Sequence, residues 1–140
     1  MQVFIIGTAL ETAVVLDKKR LNKQIIECHQ ILDALNGKLA WKNHPCTLQY
    51  KNHQSWLNNY MLCLTFYQKG DIISAGRYSY LASREKPPFQ TNTYFDQMKK
   101  RLFTKNNIHY KQWAELGESQ ENWYFVDKEW RKYINGKRIN

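Results

Sequence analysis

In the stretch LDKKRLNKQIIE, Leu16 to Glu27, the residues Arg20, Lys23, Gln24 and Glu27 recur at i, i+3, i+4 and i+7, the spacing that lines one stripe of a helix. Cationic groups on such a stripe suit phosphate oxygens. A carboxylate beside them, Glu27, can move a proton or steady a positive charge that develops during reaction. The competing reading is an ordinary solvated pair, since Lys23 and Glu27 are i, i+4 neighbours and such pairs are worth about 0.3–0.5 kcal/mol. Position favours the first reading. An apolar series, Leu21, Ile25, Cys28, Leu32 and Leu35, runs alongside the stripe and turns it towards the seams of a fold, where clefts form.

A second group lies near the C-terminus, where WRKYINGKR interleaves Trp130 and Tyr133 with Arg131, Lys132, Lys137 and Arg138. Aromatic faces stack on unpaired bases and cations neutralise phosphates, so this composition suits a single-strand or base-flipping contact. The plainer alternative is a frayed basic terminus. Cys28, His29, His44, Cys46, His53 and His109 have the side chains that bind zinc, but their spacing does not make a site. His44 and Cys46 flank a single residue beside a proline, and adjacent Cys28 and His29 point about 100° apart on a helix. Neither a metal nor another cofactor is expected. His44, in the NHP loop, is a candidate hydrogen-bonding group.

The elements that must position these residues belong to one domain, 1–140, long enough to bury roughly 70% of the surface its unfolded chain exposes. Three cysteines form no paired framework, which points to a reducing, intracellular setting. The early run VFIIGTALETAVVL lacks a preceding basic region and is interrupted by Glu11, so it reads as core and neither as a signal peptide nor as a membrane span. With 21 Lys and Arg against 12 Asp and Glu, and 14% aromatic residues, the expected partner is a polyanion and not a membrane.

Thr8 is placed to cap a helix through Glu11 to Leu16, and Asp17 to cap the next, which NGK at Asn36 to Lys38 stops. Apolar residues from His53 to Lys69 cover most of a third, central helix ending at Gly70; Tyr94, Phe95, Met98, Leu102 and Phe103 mark another. The Gly, Ser and Pro punctuation of GDIISAGRYSYLASREKPPF predicts a long irregular connection and candidate functional loop. No strand series is expected. The fold class is all-α, about four or more helices, with an irregular aromatic tail packed back on the body.

Three features resemble the endonuclease V family of pyrimidine-dimer DNA glycosylases. HPCTLQYKNHQSWLNNYMLCLTFYQKG, His44 to Gly70, is similar to that family's His-started central helix with its Cys, basic residue and Gly ending. WRKYINGK, Trp130 to Lys137, resembles its C-terminal aromatic and basic cluster, and the helix carrying Lys19, Arg20 and Lys23 resembles its basic active-site helix. The resemblance implies a compact helical domain with the N-terminal segment threading between helices. It also implies a reaction in which the chain's α-amino group attacks the sugar C1′, forms an imine and cleaves the strand by β-elimination, assisted by a helix glutamate and without a metal.

The family's nucleophile is a small residue exposed by removal of the initiator methionine. Gln2 is too large for efficient trimming, so Met1 is expected to present the amine. With Lys19 and Lys23 aligned, the family's glutamate falls at Arg20, which leaves Glu27 as the expected catalytic carboxylate. On this reading Arg20 and Lys23, with Lys19 beside them, are expected to hold phosphates, Gln24 and His44 to orient water or a flipped nucleotide, and Trp130, Lys132, Tyr133 and Lys137 to grip the distorted strand. The expected substrate is duplex DNA with a damaged or modified base, handled by a monomer in a bacterial or phage-infected cell. The alternative is a non-catalytic protein of the same fold that recognises bent or damaged nucleic acid.

Overall fold

The computed structural model describes residues 1–38, 40–134 and 136–139. The chain divides into two compact units, Met1–Pro87 and Pro88–Asn140. The first contains α1 (Ala9–Val15), α2 (Lys18–Leu35), α3 (Pro45–Gln49), α4 (Gln54–Gln68) and α5 (Ile72–Ser83).

Helix α1 begins with a reciprocal cap: the Glu11 N–H donates to Thr8 Oγ1 at 3.1 Å, and the Thr8 N–H donates to Glu11 Oε1 at 3.0 Å. The Leu10 N–H, another donor without an intrahelical acceptor, donates instead to Ser79 Oγ of α5 at 3.0 Å. Asp17 occupies the N-cap position of α2, but its carboxylate makes no cap bond and lies 3.5 Å from Arg20 Nη1. Gly37, at φ +103°, ends α2 as the NGK signal predicts.

The buried seam of α2 is rotated from the expected one. Leu21, Gln24, Cys28, Ile31 and Ala34 are buried, whereas Ile26 is 57% exposed. A polar side chain sits mid-seam because the seam faces main chain: Val3, Phe4 and Ile5 are buried, and their segment is hydrogen-bonded to both α2 and α4. The Phe4 N–H donates to Gln24 Oε1 at 2.9 Å, Gln24 Nε2 donates to the Gln2 carbonyl at 2.7 Å, and Tyr60 of α4 donates its hydroxyl to the Phe4 carbonyl.

Helix α4 is central to this unit, packing on α1, α2 and α5. Tyr50, Trp56 and Tyr60 form a stack with ring centroids 5.4 and 5.0 Å apart. The stretch from Gly70 to Phe89 corrects the expectation of an irregular functional loop, since most of it is α5. Asp71 caps that helix by accepting from the Ser74 N–H at 3.0 Å. Ala75, Ser79 and Ala82 are its buried residues, and Phe66 of α4 stacks on Tyr78. Small residues are what allow α5 to pack closely on α4, while in the sequence they resemble loop punctuation.

His44 caps α3, accepting from the Cys46 N–H on Nδ1 at 3.0 Å, with Pro45 as the first helical residue. Burial, followed by the positive charge of the chain's α-amino group, holds the His44 pKa below the ordinary histidine range. Burial also lowers that of His53.

The second unit contains α6 (Asn92–Lys105), a 3-10 helix over Lys111–Leu116, and β1 (Glu121–Val126), β2 (Glu129–Ile134) and β3 (Lys137–Ile139) in an antiparallel sheet of order β1-β2-β3. The irregular tail and the all-α class are therefore corrected to a mostly helical chain ending in a small sheet. Asp127 and Lys128, both at positive φ (53° and 65°), make the two-residue turn whose twist suits a tight hairpin. In β1 the pairs Trp123/Phe125 and Tyr124/Val126 put large apolar groups on both faces, which hides the two-residue alternation.

Two outcomes follow for stability. Gln24→Met fills a similar volume but leaves the Phe4 N–H and the Gln2 carbonyl without their buried partner, so unfolding in urea is expected to show a loss of about 3 kcal/mol. Because His44 and His53 titrate lower when folded, the unfolded chain binds more protons. Stability is therefore full above about pH 6.5, the unfolded histidine value, and falls as pH drops below it. His44→Asn, which keeps an N-cap oxygen, is expected to make the urea midpoint less steep between about pH 6.5 and 5.

Candidate active site

The Gln24 amide is the meeting point of the candidate site. Besides holding the Gln2 carbonyl, Nε2 donates to Glu27 Oε2 at 3.0 Å, so a single side chain joins the residue after Met1 to the carboxylate expected to do chemistry. Oε1 takes the Phe4 N–H and has the Tyr60 hydroxyl 3.3 Å away. With both amide hydrogens donated and the oxygen engaged, the amide cannot turn without breaking several bonds.

Cys46 reports what surrounds this point. Its buried thiol accepts from the Val3 N–H and is pushed up to about 12, chiefly by burial; the positive α-amino group opposes that rise and Glu27 adds to it. Both charges thus act on one thiol, which puts the chain terminus and the Glu27 carboxylate in the same neighbourhood. His44 lies within the field of the α-amino group as well. Cys28 is raised well above the usual thiol value by burial first, then by Cys46 and Glu27. Thiols held protonated in this way are poor nucleophiles.

Gln24 is thus bonded both to Glu27 and to the main chain of the residue after Met1, and the α-amino group acts on His44 as well as on Cys46. Gln24 is 1% exposed, so its place is behind the site, orienting Glu27 and the N-terminal segment. Lys19 and Lys23 are exposed on α2, and among the described residues no ion pair joins Lys23 to Glu27. Arg20 differs: its guanidinium folds back to Asp17, with a side chain only 18% exposed. The arrangement offers an amine, a carboxylate fixed by a neutral amide, a histidine and a cationic helix surface.

Trp130, Lys132, Tyr133 and Lys137 belong to the C-terminal unit, where the sheet register divides them. Trp130 pairs with Phe125, Lys132 with Trp123 and Lys137 with Ile134, which gives these residues one shared face. Tyr133 pairs with Asn122 on the opposite face and packs edge-on against Tyr124. Cys46 and Tyr60 were not among the expected site residues. Tyr60 is legible in the sequence only as part of an apolar helix side, because its partner carbonyl lies 56 residues away.

Residues 1–65 match the family model described as pyrimidine dimer DNA glycosylase. The matched segment includes Met1, the cationic part of α2, Glu27 and His44 and ends within α4, short of the Trp130 to Lys137 cluster. No curated protein and no solved structure matches the chain. Through residues 1–65, which hold the amine, the carboxylate and the basic helix, this chain carries the sequence pattern of the pyrimidine dimer DNA glycosylase family.

Proposed function

We propose that the chain, acting through residues 1–140 as one functional domain, is a DNA glycosylase with abasic-site lyase activity on a damaged or modified base in duplex DNA. The Met1 α-amine attacks the sugar C1′ as the bond to the base breaks, and the base leaves with the electron pair and takes up a proton. Loss of the amine proton and opening of the ring oxygen give an imine. Removal of a C2′ proton then expels the 3′ phosphate, and water returns the amine. No oxidant, reductant or metal enters this balance.

The observation that carries the reading is the Gln24 amide, which bonds both the Gln2 carbonyl and Glu27. A carboxylate held there offsets the positive charge that grows on the sugar and then on the imine, and its orientation is set before substrate arrives. Lys19 and Lys23 contact phosphates, and Arg20 joins them on release from Asp17. His44, with Nδ1 engaged by the Cys46 N–H, presents its other ring edge to water or the extruded nucleotide. Trp130, Lys132 and Lys137 hold the distorted strand. Extrusion costs a few kcal/mol, less for a damaged or mismatched base, and selectivity begins with that difference.

Glu27 acts on charge that exists mainly in the transition state, so Glu27→Gln is expected to slow cleavage about 10²-fold or more while DNA affinity is kept. Unchanged single-turnover cleavage would make Glu27 a structural partner of Gln24 and nothing more. The imine supplies the direct test: borohydride added to protein and abasic duplex is expected to trap a covalent complex whose peptide map places the bond at Met1. Lysines are the rivals, but as a class they titrate more than two units above α-amino groups. An N-terminal extension should abolish trapping and leave binding. Absence of trapping from intact protein that binds the duplex would instead identify a non-catalytic reader of damaged DNA.

A further inference from the structure

The C-terminal unit contains a cavity of about 310 Å³ lined by Thr91, Thr93, Tyr94, Gln97, Trp123 and Trp130. That volume is near the small end of ligand pockets, which run to about 300–1,000 Å³, and so suits a single ring system. Helix α6 supplies one wall and the outer face of β1 and β2 the other. The Tyr94 and Trp130 rings lie 5.4 Å apart, and the Trp123 and Trp130 rings stand 6.2 Å apart at 70°. Trp123 is held in place by donating Nε1–H to Glu121 Oε2 at 3.1 Å. Trp130 is 39% exposed, so part of its ring is open beside the cavity.

We propose that this cavity is a receptor for one unpaired nucleobase of a single-stranded segment, stacked against its aromatic wall and read along its edge by the Gln97 amide. The lining carries no charged side chain, which favours a neutral heterocycle. Lys132 sits with Nζ 4.6 Å from the Trp123 ring centroid, so a second cation, such as a methylated ammonium, would meet a like charge there. The same sheet face carries Lys132 and Lys137, placed for the phosphates on either side of a stacked base. Between Pro88 and Asn140 there are ten Lys and Arg against six Asp and Glu, a balance that suits a nucleic-acid strand over a peptide.

This inference deepens the proposed function, from which it takes the class of ligand and the strand contacts of Trp130, Lys132 and Lys137, and single-stranded DNA without a lesion tests it apart from the chemistry. Fluorescence anisotropy of the full chain with labelled oligothymidylate is compared with a strand of equal length built of tetrahydrofuran residues, which lack both the base and the C1′ oxygen that imine formation needs, at a salt concentration that weakens phosphate contacts. The base-bearing strand is expected to bind about tenfold or more tightly. Trp123→Leu should remove that advantage. Thr93→Phe, which fills the cavity from an exposed rim position and leaves the aromatic packing in place, should remove it as well. Equal binding of the two strands by the unaltered protein would overturn the proposal, as would an undiminished advantage in folded Thr93→Phe. A failure of borohydride trapping alongside base-dependent binding would count against the proposed chemistry and leave this receptor standing.

Discussion

The N-terminal unit depends on one buried amide. Gln24 lies where a helix seam would ordinarily carry a leucine, and it is there because at that level α2 meets the main chain of residues 2–4, whereas the helix also packs on α4. A segment of extended backbone inserted between helices brings N–H and C=O groups that must be satisfied, since an unpaired buried group costs more than a made bond returns. Gln24 on one side and Tyr60 on the other provide that satisfaction, and Val3, Phe4 and Ile5 can then bury their side chains. The remaining amide hydrogen goes to Glu27, so the contact that anchors the N-terminal segment also orients the carboxylate.

The surrounding helices stiffen this arrangement by local means. Thr8 and Glu11 cap each other across the first turn of α1, and Ser79 takes up the Leu10 N–H, fastening α1 to α5. Ala75, Ser79 and Ala82 keep the inner side of α5 shallow, and Phe66 stacks on Tyr78 where the two helices meet. Because α4 packs on α1, α2 and α5 together, displacement of Tyr60 would have to move through three interfaces.

In the C-terminal unit the governing constraint is the alternation of a strand. Side chains that are neighbours in WRKY separate onto two faces, so Trp130 and Lys132 join Trp123 while Tyr133 turns to Tyr124. The outer face thereby acquires aromatic rings and cations together, and the other face packs Tyr124 and Val126 into the unit's interior. The short turn at Asp127 and Lys128 sets the register that produces this division.

Helix positions were largely legible without coordinates, since a period near 3.6, a Thr or Asp before the first turn and a Gly after the last are local signals. They place α1, α2, α4 and α6. The same kind of signal misleads at α5, whose buried positions are the small residues Ala75, Ser79 and Ala82, so that its inner side lacks the large apolar periodicity that marks a helix. It also misleads in the sheet, where apolar groups on both strand faces erase the alternation and positive φ at Asp127 and Lys128 replaces a glycine-marked turn. Within α2, spacing identifies Arg20, Lys23, Gln24 and Glu27 as one stripe but cannot assign their roles. That assignment depends on residues 2–6 returning to lie beside Gln24, on Asp17 drawing in Arg20, and on Cys46 lying within reach of both the α-amino group and Glu27. Periodicity acts between residues three or four apart, whereas these contacts join groups some twenty to sixty residues apart or depend on which rotamer packing leaves free, so only the folded chain resolves them.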